Sequence, residues 1–166
     1  RANVARKIIA EAHKYGIPTR DIIIDTLTLT VSSQQKEALE TCRAISLLKD
    51  EFGKDGLKFI LGVSNISFGL PRRDIINSRF FAMALFSGLD ACIINPLSQP
   101  MMETYCGYRA LANFDENCLD YIQKYNGTTA PVYNVTQEQL SAINAGTPAK
   151  NAQKAKSPKN EYSQLP

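Results

Sequence analysis

Asp21-Ile22-Ile23-Ile24-Asp25 is a short apolar run closed at each end by a carboxylate. Such a run fits a strand over residues 22–24 buried on both faces, as in a parallel sheet. The chain before it reads as a helix over residues 3–15, with Val4, Ile8, Ile9, Ala12 and Tyr15 on its apolar face. Gly16 supplies a left-handed cap and Pro18 stops continuation. After the run, a polar loop over 26–33 leads into a helix over 34–52 with the stripe Ala38, Cys42, Ile45, Leu48 and Phe52.

The unit then recurs. Gly53-Lys54-Asp55-Gly56 turns the chain into a strand over 57–63, with its apolar centre at Phe59 to Val63. A loop over 64–73 precedes a helix over 74–87 expected to bury Ile75, Ile76, Phe80, Met83 and Phe86, with Gly88 as its cap. A third strand, Ala91-Cys92-Ile93-Ile94, ends at Asn95-Pro96. The helix beginning near Ser98 turns Met101, Met102, Tyr105 and Tyr108 inward, and a last amphipathic stretch over 116–125 uses Cys118, Leu119 and Ile122. The repeat has a period of about 30–40 residues, the size of a βαβ unit. Alternating strands and helices imply α/β architecture with a parallel sheet and right-handed crossovers. Three strands do not close a barrel, which needs about eight. The chain is therefore either a small open α/β domain or part of a barrel, and the helical opening at Arg1-Ala2-Asn3-Val4 favours the part, cut from something longer.

From residue 126 the composition turns to Thr, Ala, Pro, Asn, Gln and Lys, with one short helix expected over 135–140. Residues 126–166 read as a flexible linker or tail. The net charge of +3 rests largely on Lys150, Lys154, Lys156 and Lys159 in that tail, so a nucleic-acid face is not expected. No apolar run reaches the ~20 residues of a membrane span, so no membrane partner is expected. Four cysteines without CxxC or metal-ligand spacing point to a reducing, cytoplasmic setting and no bound metal. The only histidine, His13, lies on the first helix without a cysteine or carboxylate cluster, so neither metal catalysis nor a Ser-His-Asp triad is available.

In parallel α/β folds ligands bind where strands run into loops at their C-terminal ends. That rule nominates Asp25, Ser64, Asn65 and Asn95, each a polar side chain at or just past the end of an apolar strand. A carboxylate at Asp25 can accept two parallel hydrogen bonds from a planar donor pair such as an aminopyrimidine edge, or it can cap backbone amides. Asn65 both donates and accepts, so it can follow a ligand nitrogen whose protonation changes during reaction; turn formation is its plainer role. Arg72 and Arg73 precede a helix and are placed either to meet an anionic ligand tail or to stand solvated.

Asp25-Thr26-Leu27-Thr28-Leu29-Thr30, Gly62-Val63-Ser64-Asn65-Ile66-Ser67-Phe68-Gly69, Ile75-Ile76-Asn77 and Gly88-Leu89-Asp90-Ala91 together resemble the pterin-binding barrel of methyltetrahydrofolate–corrinoid methyltransferases, including the folate module of cobalamin-dependent methionine synthase. The resemblance implies that residues 1–125 are the C-terminal part of a dihydropteroate-synthase-like (β/α)8 TIM barrel, about its last three units. It further implies methyl transfer from 5-methyltetrahydrofolate to cobalt(I) of a cobalamin or other corrinoid held by a partner domain or subunit. In that family the aspartate and asparagine that map onto Asp25 and Asn65 contact the pterin, and the asparagine hydrogen-bonds the nitrogen carrying the methyl group. Ser64 and Arg73 are further carry-overs, whereas Asn95 is placed by strand geometry. The sister dihydropteroate synthases fit less well, because Asn65 replaces a basic residue and no Arg-x-His follows the third strand. The family's other pterin ligands lie on earlier strands, so the isolated chain is expected to be inactive or nearly so. Two other functions stay open: a non-catalytic half-barrel that pairs with a missing N-terminal half or with itself, and an unrelated α/β binding domain.

Overall fold

The computed structural model describes residues 1–128, and the helix expected over 135–140 and most of the expected tail lie outside them. Among the described residues the elements run α1 (Ala2–Lys14), β1 (Ile23–Asp25), α2 (Glu37–Phe52), β2 (Lys58–Gly62), α3 (Arg73–Phe86), β3 (Ala91–Ile93), α4 (Gln99–Leu111) and α5 (Leu119–Tyr125). The three strands form one parallel sheet in the order β1-β2-β3. Register pairs Asp25 with Ile60 and Gly62 with Ile93.

That order decides which face is covered. Parallel neighbours joined in sequence by right-handed crossovers place every crossover helix on the same side. On that side Ile24, Phe59 and Leu61 pack with Ile45 and Leu48 of α2 and with Phe81 and Ala84 of α3 in one core. The other face carries Ile23, Asp25, Lys58, Ile60, Gly62, Ala91 and Ile93, since strand side chains alternate. It is bare: Ile23 is 50% and Ile93 65% exposed, against 0% for Phe59 and Leu61. The expectation of strands buried on both faces is thus corrected. Among the described residues no helix crosses to the other face, so β1 and β2 are buried on one face only and β3 is at most half-buried.

The inward faces of several helices also differ from the periodic reading. In α1 the buried residues are Ala5 and Ile9, with Ala2 and Ala12 packed beside them, while Val4, Ile8 and Tyr15 are exposed. Small side chains let α1 lie close to the core, and the bulkier apolar stripe faces outward. In α3 the buried set is Ser78, Phe80, Phe81, Ala84 and Leu85. Ile75, Met83 and Phe86 of that helix are exposed, the last at 87%. This helix is apolar on nearly every side, so spacing alone does not choose its inner face. Met101 is buried, but Tyr105 is exposed. Cys118, Leu119 and Ile122 face solvent, and Asp115 supplies the order there by accepting from the backbone N–H groups of Asp120 (3.0 Å) and Tyr121 (2.9 Å).

The lower end of the sheet is pinned by one carboxylate. Asp90 accepts from the backbone N–H of Phe59 at 2.9 Å and from Lys49 Nζ at 2.8 Å, with Lys58 Nζ at 3.5 Å. Gly56, at φ +86°, makes the turn into β2, where an added Cβ would stand 2.8 Å from the Cβ of Arg20. Asp90→Ala leaves the Phe59 N–H without its acceptor, a loss of about 1–3 kcal/mol. Urea denaturation of the variant is expected to show that loss with an unchanged slope.

Candidate functional site

Asp25 and Gly62 occupy the bare sheet face near the C-terminal ends of adjacent strands, and Asn95 follows β3 two residues beyond Ile93 on the same alternation. By register Gly62 lies one strand across and two residues along from Asp25, and Asn95 a further strand and two residues on, so the three follow a diagonal across the strand ends rather than one spot. Asp25 is exposed, and its Oδ1 accepts from the backbone N–H of Leu27 at 2.7 Å. It therefore does cap an amide; its second oxygen has no partner among the described residues. Asn95 behaves alike, with Oδ1 accepting from Leu97 N–H at 2.9 Å. In both, a turn formed by the side chain fixes the carbonyl end and leaves the rest of the group to solvent.

Asn65 sits in a 3-10 turn, Val63–Ser67, that follows β2 directly. Its side chain is exposed and makes no hydrogen bond among the described residues. The amide lies over Gly62: a Cβ built on that glycine would stand 3.1 Å from Asn65 Nδ2. Glycine therefore leaves the room that the amide occupies at the strand end. An amide held by position alone retains all its donors and acceptors for a ligand.

Ser64 is exposed, and its carbonyl accepts from Arg73 Nη2 at 2.7 Å. Arg73 also donates through Nε to Ser67 Oγ at 2.9 Å and stacks over the Phe68 ring at 4.6 Å. So the structure spends Arg73 on the turn itself, and its guanidinium braces Asn65 from the α3 side. Arg72 is turned away in a left-handed conformation (φ 48°) beside Asp74, and the guanidinium's hydrogen bond holds the Asp74 carboxyl below its ordinary range. On the covered face of β3, burial pushes the Cys92 thiol up. A thiol kept protonated there is a packing group rather than a nucleophile.

The opposite flank of the turn is held from the loop after β1. Val31 N–H donates to the Ile66 carbonyl at 2.9 Å, and the hydroxyls of Thr30 and Ser32 both reach the Phe68 carbonyl, at 2.9 and 2.8 Å. In the sequence Gly62, Thr30 and Ser67 stand only as members of the motifs quoted above, with no role of their own, and Ser32 is outside them. The cluster Thr28-Leu29-Thr30-Val31-Ser32-Ser33 is the one trace of this bracing, and it reads equally well as ordinary loop. A roomier cavity, about 880 Å³, opens between α3 and α4 and is lined by Phe86, Tyr108, Leu111 and Phe114. It belongs to the outer helical layer, not to the strand ends.

The chain is 27% identical over 133 residues to methylcorrinoid:tetrahydrofolate methyltransferase from Eubacterium limosum, a match covering 80% of this chain and 48% of that protein. It is 34% identical over 102 residues to methionine synthases of Mycobacterium tuberculosis (strain ATCC 25618 / H37Rv) and Mycobacterium leprae (strain TN), covering 57% of this chain and 8% of each. The chain thus spans about half the length of the first relative and under a tenth of the others. The family model described as pterin binding enzyme matches residues 2–95, which hold all three strands and every site residue discussed above. This chain belongs to the pterin binding enzyme family.

Proposed function

We propose that this chain is the C-terminal part of a pterin-binding (β/α)8 barrel that moves a methyl group between tetrahydrofolate and a corrinoid. Residues 1–125 form the barrel part and residues 126–166 a linker toward the remainder of the protein. The observation that carries the reading is the Asn65 amide, exposed and unbonded over Gly62 at the end of β2, on the sheet face that also bears Asp25, with Asn95 in the loop after β3. The one-sided helical cover supports the barrel. A closed barrel buries that bare face against its other strands.

Asp25 binds the aminopyrimidine edge of the pterin through the oxygen that Leu27 leaves open. Asn65 meets the nitrogen that carries the methyl group. A tertiary amine leaves poorly unless its nitrogen gains a proton or a hydrogen bond as the lone pair develops, and the Asn65 N–H supplies that bond. In the reverse sense the same contact holds the nitrogen ready to accept methyl, which matches the direction printed in the name of the Eubacterium limosum relative. The corrinoid, on a partner domain or subunit, supplies a cobalt(I) centre as the methyl exchange partner. Ser64 and Asn95 line the pterin, and Arg73 acts on it through the turn.

Calorimetric titration of the chain with 5-methyltetrahydrofolate, run beside Asn65→Ala, tests this reading. Heat that diminishes in the variant supports it; binding that ignores the substitution removes Asn65 from the site. The chain alone is expected to transfer methyl at less than about a hundredth of the rate of a complete methyltransferase assayed in parallel, since half a site positions its ligand loosely. Near-equal rates would contradict the partial barrel.

The bare face favours a second reading, in which the half-barrel serves assembly rather than catalysis. Ile23 and Ile93 on the sheet and Val4, Ile8 and Tyr15 on α1 present apolar surface that association would cover. Sedimentation showing a monomer across a wide concentration range would remove self-association.

A further inference from the structure

We propose that Thr30 and Ser32 are positioning residues for Asn65, tying the loop after β1 and the turn after β2 into one unit; this rests on the pterin reading above. The Asn65 side chain has no hydrogen bond of its own among the described residues, so its direction is set by its backbone alone. That backbone is a single 3-10 turn, Val63–Ser67, and short turns of this kind hold their geometry weakly by themselves. Its C-terminal side is fixed by residues 35 to 38 positions away in sequence: Thr30 Oγ1 and Ser32 Oγ on the Phe68 carbonyl, at 2.9 and 2.8 Å, and Val31 N–H on the Ile66 carbonyl. The two hydroxyls stand 3.1 Å apart, within hydrogen-bond distance of each other, and both reach the same oxygen. Arg73 braces the other side through Ser64 and Ser67.

The loop that carries Thr30 and Ser32 begins at Asp25. Sheet pairing already holds Asp25 opposite Ile60 of β2, so the tie sets what remains, the stand of the Asn65 turn relative to the carboxylate that grips the pterin edge. A ligand spanning both groups binds well only if that spacing is set before it arrives.

The test is the dissociation constant for 5-methyltetrahydrofolate, taken from NMR titrations of the wild-type chain, Thr30→Val/Ser32→Ala, Asn65→Ala and the triple variant. Dispersed spectra and thermal unfolding confirm that each is folded. Thr30→Val/Ser32→Ala is expected to weaken binding on the order of tenfold, the scale of a misplaced contact. In the Asn65→Ala background the same pair of substitutions is expected to add no more than about twofold, because its effect passes through Asn65. Thr30→Ser/Ser32→Thr, which keeps both hydroxyls, is expected to restore binding. Equal weakening in both backgrounds would overturn the proposal by showing a general structural role. Undiminished binding in Thr30→Val/Ser32→Ala, with Asn65→Ala weakened, would overturn it while leaving the pterin reading intact. No binding by the wild type would overturn both.

Discussion

Gly62→Val is expected to leave the chain folded and to weaken its binding of 5-methyltetrahydrofolate on the order of ten- to a hundredfold. The backbone at Gly62 has φ −79° and ψ 86°, which does not require glycine, and β-branched side chains suit strands. Stability should therefore stay within about 0.5 kcal/mol of the wild type. The cost falls on the neighbour. A Cβ at this position stands 3.1 Å from Asn65 Nδ2 and 3.8 Å from its Cγ, and the γ-carbons of valine reach further into the same space. Asn65 has no other bond to resist, so its amide swings away. A thermal melt paired with a folate titration separates the two effects. Unchanged affinity in a folded variant would show that the amide is not held where the pterin needs it.

Phe59→Ala is expected to cost about 3–5 kcal/mol, the usual range for a fully buried aromatic. Domain stabilities run to about 5–15 kcal/mol, so this one change brings the chain near the edge of unfolding. Phe59 is 0% exposed at the centre of the covered face. Ile93→Ser, on the neighbouring strand but on the bare face and 65% exposed, is expected to cost less than about 1 kcal/mol in the same chain. Urea denaturation of the two variants reads the asymmetry of the sheet directly. Equal losses would mean that the second face is covered in solution, as it would be if two copies of the chain paired through it.

The strand–helix alternation was legible from residue types because each strand is a compact apolar run and each helix is bounded by glycine, proline or polar residues. Asp21-Ile22-Ile23-Ile24-Asp25 announces β1 without ambiguity. Which face each element buries was much less so. The apolar residues of β1 and β3 look alike in sequence whether one or both faces are covered, and only the strand order shows that Ile23 and Ile93 are left open. In α3, Phe80, Phe81, Met83, Leu85 and Phe86 surround the axis, so periodicity does not say that Phe81 is inward and Phe86 outward. At the candidate site, position after a strand was enough to nominate Asp25, Asn65 and Asn95. The bracing of Asn65 was not legible, because it depends on hydroxyls more than 30 residues away and on the empty space at Gly62. Arg73 shows the same limit: its place before a helix left an anionic ligand tail and plain solvation both open, whereas its hydrogen bonds go to Ser64 and Ser67.

The most direct test of the account is a titration of the 15N-labelled chain with 5-methyltetrahydrofolate, followed residue by residue by NMR. The amide signals of Asp25, Leu27, residues 62–65 and Asn95 are expected to move together along one binding curve, because all lie at or just past the C-terminal ends of the strands. Movement confined to the groove between α3 and α4, at Phe86, Leu111 and Phe114, or no movement at the strand ends at high folate concentration, would contradict it.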